Sequence, residues 1–164
     1  MSKVHDPELQ RELIEILNRI DFGHRYYERC ASLRERSGYR EHRADRAEIE
    51  ALLAKTGLAF RHSAREKFFQ HTEAWANYET NLRVSFRNSV AEFILYVSTD
   101  DLVAGGPYPR LALQAIQARE PDFNPTPLAP KLPFSNAAKL WECVGFGVTL
   151  FNEVRTEFTK QSRE

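Results

Sequence analysis

Hydrophobic residues in the first third of the chain recur at helical spacing. A first helix is predicted to begin at Asp6-Pro7, because Asp is a favoured N-cap and Pro suits the first helical turn. Its apolar face comprises Leu9, Leu13, Ile16, Leu17 and Ile20. Gly23 is expected to end it, and two further helices are predicted over about 24–36 and 43–55.

The middle of the chain changes to a period of two. Even positions from 74 to 86 are mostly apolar and the odd ones mostly polar, which predicts a half-buried strand. Asn88-Ser89 offers a turn, and the odd positions of 90–98 are again apolar, so an antiparallel hairpin is predicted around residues 80–98. Residues 64–76 fit either a helix with a capping box or a strand, and the alternation favours a strand over 67–79.

The last third contains a glycine pair, a proline-rich stretch and a long helical pattern. Gly105-Gly106 is interpreted as a strand-to-helix corner rather than an anion-binding loop, because Pro107 and Pro109 lack N–H donors. Residues 121–134 hold five of the eight prolines and predict a packed, extended connector. A long helix is predicted from Ser135, and its Gly145 and Gly147 indicate close packing against another element.

These elements predict an α+β fold. It has N-terminal helices, a central antiparallel β-sheet and a long C-terminal helix packed on the sheet. The length of 164 residues, with 42% hydrophobic and 28% charged residues, is that expected of one globular domain over 1–164.

Charge and cysteine content restrict the compartment and the partners. Zero formal net charge argues against a nucleic-acid binder, and no apolar run has the length needed to span a membrane. Cys30 and Cys143 imply no disulfide framework, and the N-terminal segment has no signal-peptide core. A cytoplasmic protein is therefore expected, with its oligomeric state left open.

Catalytic, cofactor and metal motifs are not found in the sequence. The five histidines lack the spacing of zinc ligands, and no phosphate-binding or dinucleotide-binding glycine motif is present. No catalytic residue, cofactor or metal site is therefore predicted.

The polar side of the strand predicted over 74–87 is the candidate binding surface. Trp and Arg carry much of the binding energy at protein interfaces, and both occur here among polar residues. The predicted protein-binding residues are Trp75, Asn77, Glu79, Asn81, Arg83 and Arg87.

Two classes of function are compatible with this surface. One is a non-catalytic cytoplasmic module that binds another protein, such as an immunity protein that neutralises a cognate bacterial toxin. The alternative is a small enzyme of unrecognised type, with Glu79, Arg83, Arg87 and His71 in a polar cleft over the sheet. A concave pocket with an acid or base would favour the enzyme, and an exposed face of aromatic residues and arginine would favour the binder.

Overall fold

The computed structural model describes residues 2–37, 42–75 and 77–161, and it confirms the predicted α+β class. Five helices and seven strands occur within these ranges. They are β1 Val4–His5, α1 Pro7–Arg19, α2 Phe22–Ser37, α3 Arg46–Ala54, β2 Arg61–Ser63, β3 Phe68–Trp75, β4 Tyr78–Arg87, β5 Val90–Ser98, β6 Leu102–Pro107, α4 Tyr108–Arg119, β7 Leu132–Pro133 and α5 Ala137–Gln161.

Side-chain caps fix the starts of three helices. The Asp6 carboxylate accepts hydrogen bonds from the N–H groups of Glu8 and Leu9, and Asp45 accepts one from Glu48. Asn136, rather than the predicted Ser135, accepts a hydrogen bond of 2.9 Å from the N–H of Lys139 at the start of α5.

The prediction that Gly23 ends the first helix is wrong, because Gly23 lies in the first turn of α2. There α4 packs directly against it: a Cβ at this position would stand 2.5 Å from Cγ1 of Ile116. The glycine thus permits close packing of two helices rather than a helix stop.

The strands form one mixed sheet in the order β1-β6-β5-β4-β3-β2. All pairs are antiparallel except β1 and β6, which run parallel. The short strand β7 pairs with β5 at Val90 and Ala91, whereas β6 pairs with the same edge of β5 from Ile94 onward. The end of the connector 121–134 is therefore packed against the sheet, where Leu132 and Phe134 are buried, whereas Leu128 is 51% exposed.

The segment predicted as one long strand consists of two. Strand β3 ends at Trp75 and β4 begins at Tyr78, and these two residues pair directly. The predicted hairpin around residues 80–98 is confirmed as β4 and β5, with Asn88 and Ser89 in the left-handed region at φ of 53° and 58°. Two successive left-handed residues are typical of the tight turn that matches the twist of a hairpin.

Helix α5 packs on one face of the sheet, as predicted. Gly147 meets the ring of Phe93, and that ring stacks on Tyr108 with centroids 5.1 Å apart. The Tyr108 hydroxyl in turn donates a 2.8 Å hydrogen bond to the carbonyl of Gly147. Gly145, by contrast, has open space where a Cβ would project. Close packing is therefore confirmed at Gly147 and wrong at Gly145.

Gly105 and Gly106 directly precede Pro107, the last residue of β6, and α4 begins at the next residue, Tyr108. A Cβ on Gly105, whose φ is 128°, would overlap the carbonyl oxygen of Leu95 on the neighbouring strand. The Gly105 N–H donates a 2.7 Å hydrogen bond to Oε1 of Gln10. The pair thus shapes the backbone, and the N–H of Gly105 is already hydrogen-bonded to a side chain of the protein.

Candidate functional site

The sheet has a covered face and an open face, and the candidate site lies on the open one. On β4 the even positions Thr80, Leu82 and Val84 are buried beneath the helices, as are Phe93, Leu95 and Val97 on β5. The alternate positions point the opposite way. Among the described residues of β3, β4 and β5 on that side, all except Ser98 are half-buried or exposed. We call this side the open face; it carries Phe68, Gln70, Thr72, Ala74, Glu79, Asn81, Arg83, Ser85, Arg87, Val90, Glu92, Ile94 and Tyr96.

Five of the six predicted binding residues are accessible to a partner. Glu79, Asn81, Arg83 and Arg87 share the open face of β4 at alternate positions. Asn77 is exposed immediately before that strand. Whether these residues bind a partner remains a prediction.

Trp75 is the exception, and its predicted placement on the polar surface is wrong. It is 5% exposed and packs under α5, with its ring 5.4 Å from Phe151 and 5.3 Å from Phe158. Residues paired directly across antiparallel strands point to the same face of the sheet. The odd-numbered Trp75 therefore lies on the same face as the even-numbered Tyr78. The alternation therefore changes parity between the two strands.

Phe68, Ile94 and Tyr96 supply the apolar contact area that the sequence analysis assigned to Trp75. All three are half-buried on the open face. The signal for Ile94 and Tyr96 was present in the sequence: they alternate with the buried Phe93, Leu95 and Val97, so they must point outward. Phe68 was not identifiable, because its face depends on where β3 ends.

Arg83 is the centre of the open face. Its guanidinium lies 4.8 Å from the ring centroid of Phe68 on β3 and 5.4 Å from that of Tyr96 on β5. Such cation–π contacts are worth about 0.5–1 kcal/mol each at accessible sites. Its Nε donates a 2.9 Å hydrogen bond to Oδ1 of Asn81, whose Nδ2 donates a 3.1 Å bond to Oε1 of Gln70. Four side chains from three strands thus hold one guanidinium in place.

A small pocket adjoins this group. Gln70, Arg83, Ile94 and Pro107 stand directly opposite one another across four strands. Ile94 and Pro107, at the end of this row of residues, line a pocket of about 230 Å³. It lies where the pairing of β5 changes from β6 to β7. Its walls are Tyr26, Val90, Ala91, Glu92, Phe93, Ile94, Pro107, Pro109, Ala129, Pro130 and Lys131.

The pocket wall is rigid at Tyr26. This hydroxyl donates a 2.9 Å hydrogen bond to the carbonyl of Pro130, and burial raises the pKa of Tyr26 above its ordinary value. The tyrosine is therefore neutral and fixes the connector against α2. Most of the other walls are apolar, so the pocket suits an apolar side chain.

The residues proposed for an enzyme are not brought together. His71 lies on the covered face, 8% exposed, with Nδ1 hydrogen-bonded at 2.8 Å to the carbonyl of Ala59. Its Nε2 stands 3.7 Å from Glu73, a carboxylate that Arg155 holds at 3.0 Å. His71 is thus separated by the sheet from Glu79, Arg83 and Arg87, which lie on the open face.

A larger groove lies elsewhere, between α2 and α5. It has a volume of about 710 Å³ and is lined in part by Arg25, Arg29, Trp141 and Phe146. Both arginines have carboxylate partners: Arg25 makes a bidentate pair with Glu153 at 3.0 and 2.7 Å, and Arg29 lies 4.0 Å from Glu142. The hydrogen bond to Glu153 raises the pKa of Arg25. Most of the charge in this groove is therefore neutralised within the protein.

Within residues 2–37, 42–75 and 77–161, no three His, Cys, Asp or Glu side chains are grouped so as to hold a metal ion. In the same ranges no helix has both the length and the apolar character that a bilayer crossing requires. No protein-family model matches the chain, and no curated protein or solved structure shows significant similarity to it.

Proposed function

We propose that this chain is a non-catalytic protein-binding module that engages its partner through the open face of the sheet. The observation that carries this proposal is the Arg83 group: an arginine held between Phe68 and Tyr96, beside Ile94, on an accessible sheet surface. Tyr and Arg are enriched among the few residues that dominate interface energetics. Side chains that are already ordered also lose little entropy on binding, which favours affinity.

The charge pattern of the open face favours a protein partner. Glu79 and Glu92 stand on it together with Arg83 and Arg87, and the chain has zero formal net charge. A phosphate backbone is bound by several cations that release its counterions, and carboxylates among them oppose that binding. A protein surface presents both signs and accommodates such a mixture.

We propose further that the partner is a toxin and that the chain acts in the cytoplasm as an immunity or inhibitor protein. Two observations support this specific form. Cys30 and Cys143 are both free and buried, which suits a reducing compartment. The open face also extends over three strands, an arrangement suited to covering another protein's active site.

The proposal is tested by capturing the partner from the native host with a photo-crosslinking residue placed at Ser85, which is half-buried on the open face. The matched position is Thr149, which is exposed in the groove between α2 and α5. We expect one protein to be crosslinked from position 85 and not from position 149, as identified by mass spectrometry. The same products from both positions, or none from 85, would contradict the proposal.

The affinity of variants for the captured protein then shows whether the open face, rather than another part of the surface, binds it. Tyr96→Ala is expected to weaken binding of the captured protein by about tenfold or more, as at an interface hot spot. Tyr27→Ala is its control, because Tyr27 is also half-buried but its hydroxyl donates to the carbonyl of Leu128 on another part of the surface. For the toxin form, the captured protein must be toxic when expressed alone, and the Tyr96→Ala chain must fail to protect.

A further inference from the structure

We infer that Arg83 is a receptor for a carboxylate of the partner, an Asp or Glu side chain bound by the two terminal nitrogens of the guanidinium. This inference rests on the proposed function and names the chemistry at its centre. Three observations carry it: Arg83 has no carboxylate in ion-pair range among the described residues, its two terminal nitrogens make no hydrogen bond there, and the side chains directly beside it are uncharged.

Among the half-buried arginines whose side chains the structure describes, Arg83 is the one with no carboxylate within 4.0 Å. Its three counterparts are each paired: Arg25 with Glu153, Arg29 with Glu142 and Arg155 with Glu73. A partly desolvated positive charge without a counter-charge is unfavourable, and a carboxylate brought by a partner removes that cost.

The contacts of the guanidinium leave its two terminal nitrogens available to a partner. Asn81 occupies Nε, which is one of the five N–H donors, and the rings of Phe68 and Tyr96 flank the carbon Cζ. Neither Nη1 nor Nη2 has a hydrogen-bond partner among the described residues. These two nitrogens form the fork that binds both oxygens of a carboxylate.

The immediate neighbours of Arg83 carry no charge. Gln70 and Ile94 stand opposite it on the adjoining strands, and Asn81 and Ser85 flank it along β4. The nearest carboxylates on its own strand and on β5 are Glu79 and Glu92, neither of which comes within ion-pair distance of it. A carboxylate that docks at Arg83 therefore contacts one guanidinium, whereas an extended phosphate chain would also pass Glu79 and Glu92.

The first test uses a pair of peptides that differ only in the carboxylate, N-acetyl-Gly-Glu-Gly-amide and N-acetyl-Gly-Gln-Gly-amide. Arginine side-chain signals of the 15N-labelled full chain are followed by NMR at constant ionic strength. We expect the glutamate peptide to shift the Arg83 signal in a saturable manner and the glutamine peptide to leave it unchanged. Equal shifts with both peptides, or none at Arg83, would overturn the inference.

Arg83→Lys and Arg119→Lys are the matched variants, since Arg119 is exposed at the end of α4 and lies off the open face. Both keep their charge, but Lys lacks the planar fork, so the saturable response should vanish in the first and persist in the second. Persistence of the response in Arg83→Lys overturns the inference. A single-stranded oligonucleotide that displaces the glutamate peptide at equal ionic strength also overturns it, and would point instead to a nucleic-acid surface.

The captured partner gives the second test. Arg83→Lys should lower its affinity by about tenfold or more, and Arg119→Lys by less than about threefold, because Arg119 lies off the open face and an exposed charge contributes little. If Tyr96→Ala abolishes capture while Arg83→Lys binds normally, the inference fails and the proposed function stands. If the glutamate peptide binds at Arg83 but no Tyr96-dependent partner exists, the proposed function fails and the carboxylate site stands.

Discussion

The two glycines of α5 give a sharp test of how that helix is held on the sheet. Gly147→Ala introduces a Cβ within 2.5 Å of the Phe93 ring, a separation that requires a displacement. The ring cannot move freely, because it is 1% exposed and stacked on Tyr108. The helix cannot shift freely either, because the Tyr108 hydroxyl donates a hydrogen bond to the carbonyl of Gly147 itself.

The expected magnitude follows from two opposing terms. Ala is favoured over Gly in a helix interior by about 1 kcal/mol. Overpacking a well-packed core costs about 1–3 kcal/mol, and the restrained Phe93 ring places Gly147 at the upper end of that range. We therefore expect Gly147→Ala to lower the free energy of unfolding by about 2 kcal/mol. Gly145→Ala has only the favourable term, since nothing lies within 4 Å of its Cβ, and should raise that energy by up to about 1 kcal/mol.

Urea denaturation followed by circular dichroism measures both variants against the parent chain. Equal m-values would show that the difference lies in the native state. For a chain of this length, each 1 kcal/mol corresponds to about 2–4 °C in Tm, so the two variants should differ by about 6–12 °C. A Gly147→Ala protein as stable as Gly145→Ala would refute the packing described for Phe93, Tyr108 and α5.

Three further outcomes are expected. Burial raises the pKa of the Cys30 and Cys143 thiols from their ordinary value of 9.0 to about 12 each, so their contribution to stability is fully present below pH 9. Above that pH the unfolded state loses protons first, and urea titrations should show stability falling by about 1.4 kcal/mol per pH unit for each thiol, with a smaller slope in Cys143→Ala. Arg25→Ala should lower the free energy of unfolding by about 1–2 kcal/mol, because it breaks the bidentate pair with Glu153. In the same assay Arg46→Ala, which removes the exposed pair with Glu50, should lower it by less than about 0.5 kcal/mol. Lys67→Gly should raise the free energy of unfolding by up to about 1 kcal/mol, because the exposed Lys67 has a left-handed φ of 58°, which glycine adopts without strain. The Tm should rise accordingly, and an unchanged or lower Tm would contradict this.

Local signals in the sequence were sufficient for the helices and for one hairpin. Asp6 and Asp45 cap helices because a carboxylate satisfies N–H groups only two or three residues away. Asn88 and Ser89 mark the turn between β4 and β5 because the strands on both sides alternate clearly. Strand β1 was not predicted, since a two-residue strand at Val4–His5 has no alternation to detect and depends on β6, about 100 residues further along the chain.

The candidate site was predictable only in its central strand. Glu79, Asn81, Arg83 and Arg87 follow from the period of β4 alone. The environment of Arg83 depends on the register of three strands, which places Phe68 on one side and Tyr96 on the other. Trp75 was misplaced because the small residues Ala74 and Ala76 fit either face, so the pattern did not reveal where the parity changes.

The position of α5 in the chain also affects how the protein is made. The covered face of the sheet relies on Gly147, Phe151 and Phe158, all of which are translated after every strand has left the peptidyl-transfer centre. At about 5–20 residues per second, the roughly 50 residues from Pro107 to Gln161 take about 3–10 s to synthesise. During that interval Trp75 lacks its contacts with Phe151 and Phe158, and Phe93 lacks its contact with Gly147, so the nascent chain exposes apolar side chains of the sheet until α5 has been made.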